Sequence, residues 1–171
     1  RKMRKKSIKR LAETALAAAL VFIFTRFFMM PIAGGNGYIH LGDSFVYLFA
    51  CILPLPYGLC AASIGASLAD LTSGYAIYCI PTIIIKAAMA VCFSSKKTVF
   101  SLRNITALVA ATVVLVLGYY IFELFLYGHE AAMVNSAGTA VQGVANALLF
   151  IVFSVVLSRV RAYNTLKEEL N

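Results

Sequence analysis

The chain has 171 residues, 61% of them hydrophobic and only 13% charged, with a mean hydropathy of +0.87. Soluble domains carry about a quarter charged residues, so a soluble enzyme, a disordered tail and a disulfide-knit secreted module are excluded, and one all-α integral membrane domain over residues 1–171 is expected. The 15 Lys and Arg against 7 Asp and Glu give +8, but seven of the fifteen lie within the first ten residues, which points to anionic lipid and not to nucleic acid.

The basic segment RKMRKKSIKR, residues 1–10, reads as a cytoplasmic flank. The apolar run that follows, Leu11 to Ile32, is longer than a signal-peptide core and ends in no small-x-small cleavage site, so a retained membrane helix is expected. Further spans are expected at Ser44 to Leu55, Tyr57 to Thr72, Ala76 to Phe93, Ile105 to Tyr127 and Thr139 to Ser158. The second and third are short and are parted by Pro54-Leu-Pro56-Tyr-Gly58, a helix stop. Strands are not expected, because every backbone polar group in lipid must be bonded within its own segment or a closed barrel.

Six spans place both termini inside. Thirteen of the fifteen Lys and Arg then fall on the cytoplasmic side: the seven at the N-terminus, Lys96, Lys97 and Arg103, and Arg159, Arg161 and Lys167 in the tail 159–171. Four helices plus a re-entrant hairpin would preserve the same parity. Cys51, Cys60, Cys79 and Cys92 lie in apolar stretches without CxxC spacing, which reads as free buried thiols with no metal and no disulfide.

Ionisable residues at membrane depth are costly, so each is a functional candidate. Tyr75, Tyr78, Thr82 and Lys86 share one face of the fourth span, and Tyr119, Glu123 and Tyr127 one face of the fifth. Ser63, Ser67 and Asp70 line the third, and Gln142 and Asn146 the sixth. These faces converge on the outer half of the membrane, under a loop, Ala33-Gly-Gly-Asn-Gly-Tyr-Ile-His-Leu-Gly-Asp43, that adds Tyr38, His40 and Asp43. The competing reading is that Lys86 merely pairs with Asp70 or Glu123 to keep the bundle neutral, and that His40 bonds only within its loop. Ala15 and Ala19, one turn apart, allow close approach of another helix, and Gly58, Ala62, Gly65 and Ala69 do the same on the third span. There is no GxxxxGK[ST], GxGxxG or HExxH motif and no acyl-transfer triad, so no catalytic residue is assigned.

The basic N-terminus, the Ala-x-x-x-Ala of the first span, the segment Gly-Tyr-Ile-His-Leu-Gly-Asp, then Leu-Pro-Tyr-Gly and Ala-Ser-Leu-Ala-Asp-Leu-Thr-Ser-Gly-Tyr resemble the substrate-binding S components of energy-coupling factor (ECF) transporters. The likeness covers nearly the whole chain and is most specific from Tyr38 to Ala90. Within that group it looks most like the hydroxymethylpyrimidine and pyridoxine branch, with a queuosine-precursor carrier the nearest competitor; His40 stands where Asn is expected in related sequences. The resemblance implies a six-helix bundle in a prokaryotic cell membrane that captures a vitamin from outside. It also implies docking through Ala15 and Ala19 on a membrane scaffold, the T component, served by two cytoplasmic ATPases that use ATP and Mg, with no cofactor on this chain. An assembly protein without a ligand, its polar stripes only joining helices, is the reading from another class.

Overall fold

The computed structural model describes residues 2–93 and 99–160, and of residues 2–6 the backbone only. Lys96, Lys97, Arg161 and Lys167, and with them most of the expected cytoplasmic charge outside the N-terminus, lie outside the described residues.

Six α-helices are present among those residues: α1 (Lys2–Arg26), α2 (Asp43–Ile52), α3 (Leu55–Thr72), α4 (Cys79–Val91), α5 (Leu102–Tyr127) and α6 (His129–Ser158). α1 runs unbroken through the basic flank, whose Lys and Arg are good helix formers. It ends at Arg26, not at Ile32: Pro31 lacks an amide donor and disfavours helix before it, and the glycine-rich run follows. Met30–Pro31 (β1) instead pairs antiparallel with Tyr38–Ile39 (β2), so strand pairing occurs where none was expected.

α2 has ten residues, a rise of about 15 Å against a hydrocarbon core of about 30 Å. It is short because the hairpin has already carried the chain down into the bundle. From Asp43, level with mid-α4, nine residues suffice to reach Cys51, whose Sγ accepts a hydrogen bond from Asn104 Nδ2 (3.3 Å) in the first turn of α5. Pro54 then restarts the chain as the N-cap of α3. α4 is preceded by a 3-10 turn, Ala76–Tyr78. α5 begins three residues before the expected Ile105, capped by Ser101, whose side chain accepts from Asn104 N–H (3.2 Å). α6 begins ten residues before the expected Thr139. Gly128, at φ +85°, turns the chain in one residue, and the stretch from His129 to Ser136 is polar by hydropathy yet rich in Ala, Glu and Met.

α1 packs chiefly on α3, α3 on α4, α4 on α5 and α5 on α6, while α2 and the hairpin sit among them. The α1 to α3 approach is close: a Cβ on Gly65 would stand 2.5 Å from the Ala18 carbonyl. Val46, Tyr47, Ala66, Met89, Phe93, Leu115 and Phe150 form the apolar core. The polarity is otherwise that of a membrane protein. Asp43, Lys86, Asn135, Gln142 and Asn146 are buried, whereas Leu16, Ile80, Ile84, Phe125, Val141 and Leu148 are exposed around the outside. α5 and α6 are each long and apolar enough to cross a membrane. Among the described residues no two cysteines are joined in a disulfide; Cys51 is buried, but Cys60 is exposed on the apolar exterior and Cys79 and Cys92 are half-buried, so the expectation that all four are buried fails.

Candidate functional site

Backbone without regular structure survives at membrane depth only where something satisfies its N–H and C=O groups. α6 does so for the hairpin and the first turn of α2 with three amide side chains. Asn135 Oδ1 accepts from Asn36 N–H (3.0 Å), Gln142 Oε1 from His40 N–H (3.2 Å), and Asn146 Oδ1 from Ser44 N–H (2.9 Å). Asn146 Nδ2 donates to the His40 carbonyl (2.7 Å) and to the Gln142 carbonyl (2.9 Å). Asn135, expected in an outer loop ahead of the sixth span, is buried and belongs to this clamp.

Below the hairpin Lys86 Nζ meets Asp43 Oδ1 at 2.6 Å, with both side chains fully buried. The competing reading paired Lys86 with Asp70 or Glu123; the hairpin's descent brings Asp43 to it instead. Gln142 Nε2 donates to the second Asp43 oxygen (2.7 Å), and the Lys86 ammonium lies 5.5 Å from the centre of the Tyr119 ring.

Above this pair is a small cavity of about 30 Å³, room for one or two waters, lined by Ile32, Gly37, Tyr38, His40, Asp70, Tyr78, Tyr119, Glu123, Thr139 and Gln142. Ligand pockets run from about 300 to 1,000 Å³, so in this structure the cavity is closed below ligand size and a small molecule would have to part its walls. Of the side chains singled out in the sequence, Tyr38, His40, Asp70, Tyr78, Tyr119, Glu123 and Gln142 wall the cavity. Asp43, Lys86 and Asn146 stand behind that wall and hold it. Tyr75 packs on the Tyr38 ring at 4.6 Å and the Tyr78 ring at 6.2 Å from outside. Ile32, Gly37 and Thr139 were not singled out; apolar or small side chains give no chemical signal in a sequence.

Two carboxylates face the cavity in the same way. Tyr38 Oη donates to Asp70 Oδ1, and Tyr78 Oη donates to Glu123 Oε1 (2.9 Å). Burial and the neighbouring Asp70 raise the pKa of Tyr38, so its hydroxyl keeps its proton and acts as donor. The second oxygens, Asp70 Oδ2 and Glu123 Oε2, are buried without a well-formed hydrogen bond, although the Thr82 hydroxyl stands near the Asp70 carboxylate and the Asn135 amide near that of Glu123. Thr82 Oγ1 and Tyr119 Oη share a hydrogen bond (2.8 Å) between α4 and α5. The arrangement offers two acceptors to a donor-bearing ligand and four aromatic rings to stack on it. No group of three or more His, Cys, Asp or Glu among the described residues has metal-ligand geometry.

Ala15 and Ala19 lie far from the cavity. Both are exposed, on an apolar groove between α1 and α3 shared with Leu11, Thr14, Ala18 and Phe22, and Ala17 is the alanine of that stretch buried against the bundle.

Residues 5–163 match the family described as ECF-type riboflavin transporter, S component. The chain is also 30% identical over 131 residues, 75% of its own length and 88% of the relative's, to a protein of Pyrococcus woesei described as "Uncharacterized protein in gap 3'region".

Proposed function

The chain belongs to the ECF-type riboflavin transporter S component family, and from that premise we propose that it captures a small heteroaromatic vitamin or precursor, of the pyridoxine or hydroxymethylpyrimidine type, from outside the cell. Membership makes it a non-catalytic, substrate-binding membrane subunit that works with a T component and ATPases. ATP and Mg are then used by the partner ATPases and not by this chain.

The observation that carries the ligand reading is the pair of buried carboxylates on α3 and α5 that line the cavity, each with one oxygen lacking a well-formed hydrogen bond. A buried acceptor left unmade costs about 1 to 3 kcal/mol, more when charged, so the cavity favours a ligand that brings two donors on a compact ring. Hydroxymethylpyrimidine has an amino group and a hydroxyl; pyridoxine has three hydroxyls. The family's description favours a second ligand, riboflavin, whose isoalloxazine ring has a single N–H donor and whose hydroxyls sit on its ribityl chain.

Six helices with N and C termini inside, and docking on the scaffold at Ala15 and Ala19, belong to the same proposal. The exposed position of both alanines supports the docking site. Calorimetry on the purified chain, without ATP or partners, against pyridoxine, hydroxymethylpyrimidine, queuine and riboflavin tests the reading. Saturable binding of a one-ring compound is expected. Binding of riboflavin alone would replace the ligand, and binding of none would leave the cavity a structural feature.

A further inference from the structure

The hydrogen bonds around His40 do not close. A neutral imidazole has one N–H and one acceptor nitrogen. Gly42 N–H donates to His40 Nδ1 (3.0 Å), and Gln142 Nε2 lies 3.2 Å from His40 Nε2. Both neighbours are donors, so one of these contacts opposes N–H to N–H.

The Gly42 contact is the hydrogen bond, because it is the shorter and comes from a backbone amide that cannot turn away. Gln142 is fixed as well: its Oε1 accepts from His40 N–H, and its Nε2 donates to an Asp43 carboxylate that Lys86 anchors on the other side. Flipping the amide would set its oxygen against the carboxylate. The ring proton of His40 is therefore on Nε2, facing the remaining N–H of Gln142, with both side chains buried in the cavity wall. Protonating the ring does not resolve this, since it would put N–H against N–H at Gly42 also, and burial already lowers the His40 pKa to about 4.

Two converging donors without an acceptor are completed by an acceptor atom from elsewhere. Resting on the vitamin-capture reading, we infer that His40 and Gln142 form a two-pronged donor for one acceptor atom of the ligand, a ring nitrogen or a carbonyl oxygen. The cavity then presents donors at His40 and Gln142 and acceptors at Asp70 and Glu123. It selects a heterocycle with a lone pair on one edge and donors on another. Asp43 and Lys86 are positioning residues that fix the Gln142 amide.

The test uses the full chain carrying His129→Gln, which leaves one imidazole of the two, with nitrogen-15 histidine. The spectrum without ligand should show Nε2 protonated and Nδ1 unprotonated. On saturation with whichever of hydroxymethylpyrimidine, pyridoxine or riboflavin binds, the Nε2 proton should move downfield and exchange more slowly with water. His40→Leu should weaken that binding by about tenfold or more, and His40→Asn, which keeps an N–H donor, by less than about threefold. A ring protonated on Nδ1, an Nε2 proton unmoved in the saturated protein, or a folded His40→Leu chain that binds normally overturns the inference. If none of the three probes binds, the vitamin-capture reading falls, and the tautomer alone then judges the donor pair.

Discussion

Lys86 and Asp43 meet at 2.6 Å with no exposure of either side chain, joining the middle of α4 to the first residue of α2. A buried pair adds little net stability against an apolar substitute, but removing one member strands the other charge, at a cost of about 3 to 5 kcal/mol. Lys86→Met should therefore lower the thermal midpoint sharply in detergent, and Lys86→Met with Asp43→Asn should recover most of the loss. Equal losses in the single and double variants would show that the pair is not what holds α2 to α4.

Asp70 and Glu123 line the cavity, each with one oxygen on a tyrosine and one without a well-formed hydrogen bond. Asp70→Asn and Glu123→Gln should each weaken ligand binding by about 1.5 to 3 kcal/mol, roughly tenfold to a hundredfold, with the thermal midpoint nearly unchanged. Calorimetry and thermal unfolding on the same preparations separate the two effects. Unchanged binding with reduced stability would make both carboxylates structural.

The helical content was legible because the apolar runs are long and their polar faces keep the helical period, and the polar stripes of α4, α5 and α6 led to Tyr78, Tyr119, Glu123 and Gln142. The hairpin was not legible. Met30 and Pro31 continue an apolar run, and strand pairing of two residues a side leaves no alternation to read. That one feature explains the other departures: the hairpin's descent shortens α2, moves Asp43 from an outer loop to Lys86, and makes Asn135 a clamp residue, which hydropathy had placed outside α6. The stacking of donors at His40 depends on a register between residues 40 and 142 that no local pattern reports.

His40 sits in the segment between β2 and α2, and burial lowers its pKa from 6.5 to about 4, with the Asp43 charge opposing and Lys86 assisting. The unfolded chain takes up a proton near pH 6.5 that the folded chain refuses until about pH 4, so stability falls as pH drops through that window and is unaffected above it. The full loss is about 3 kcal/mol, at 1.36 kcal/mol per pKa unit. His40→Asn should remove this part. Thermal midpoints of the two proteins should run parallel above pH 7 and converge toward the variant's favour between 6.5 and 4; a constant offset across the range would mean that His40 takes up its proton at the same pH in the folded and the unfolded chain.

Orientation is testable at two exposed positions on opposite ends of α5. Arg103 is in its first turn, and Glu130 follows its end, just past Gly128. In a background lacking Cys51, Cys60, Cys79 and Cys92, Glu130→Cys should react with an impermeant maleimide on intact cells, and Arg103→Cys only after the membrane is opened. The reverse pattern would invert the protein, and labelling of both from outside would mean that α5 does not cross.

The exposed alanines give the sharpest separation between capture and delivery. Ala15 and Ala19 are exposed in the groove between α1 and α3, whereas the buried α1 to α3 contact is made by Ala17 packed with Ala61 and by Gly65 against the Ala18 carbonyl and Val21. Replacing Ala15 and Ala19 with Leu therefore adds volume in the exposed groove and leaves the buried contact with α3 intact. The isolated chain should keep its thermal midpoint and its ligand affinity, because the cavity walls come from the hairpin and from α3, α5 and α6 with Tyr78, and include no residue of α1. Uptake of labelled vitamin by cells carrying the whole transporter should fall to background, since a helix crossing at two alanines has no room for two isobutyl groups. Ala17→Leu is the control: it should unfold or destabilise the chain outright, because it enlarges a fully buried position. Loss of ligand binding in the Ala15 and Ala19 variant would place these alanines in internal packing and send the search for the scaffold contact to another face.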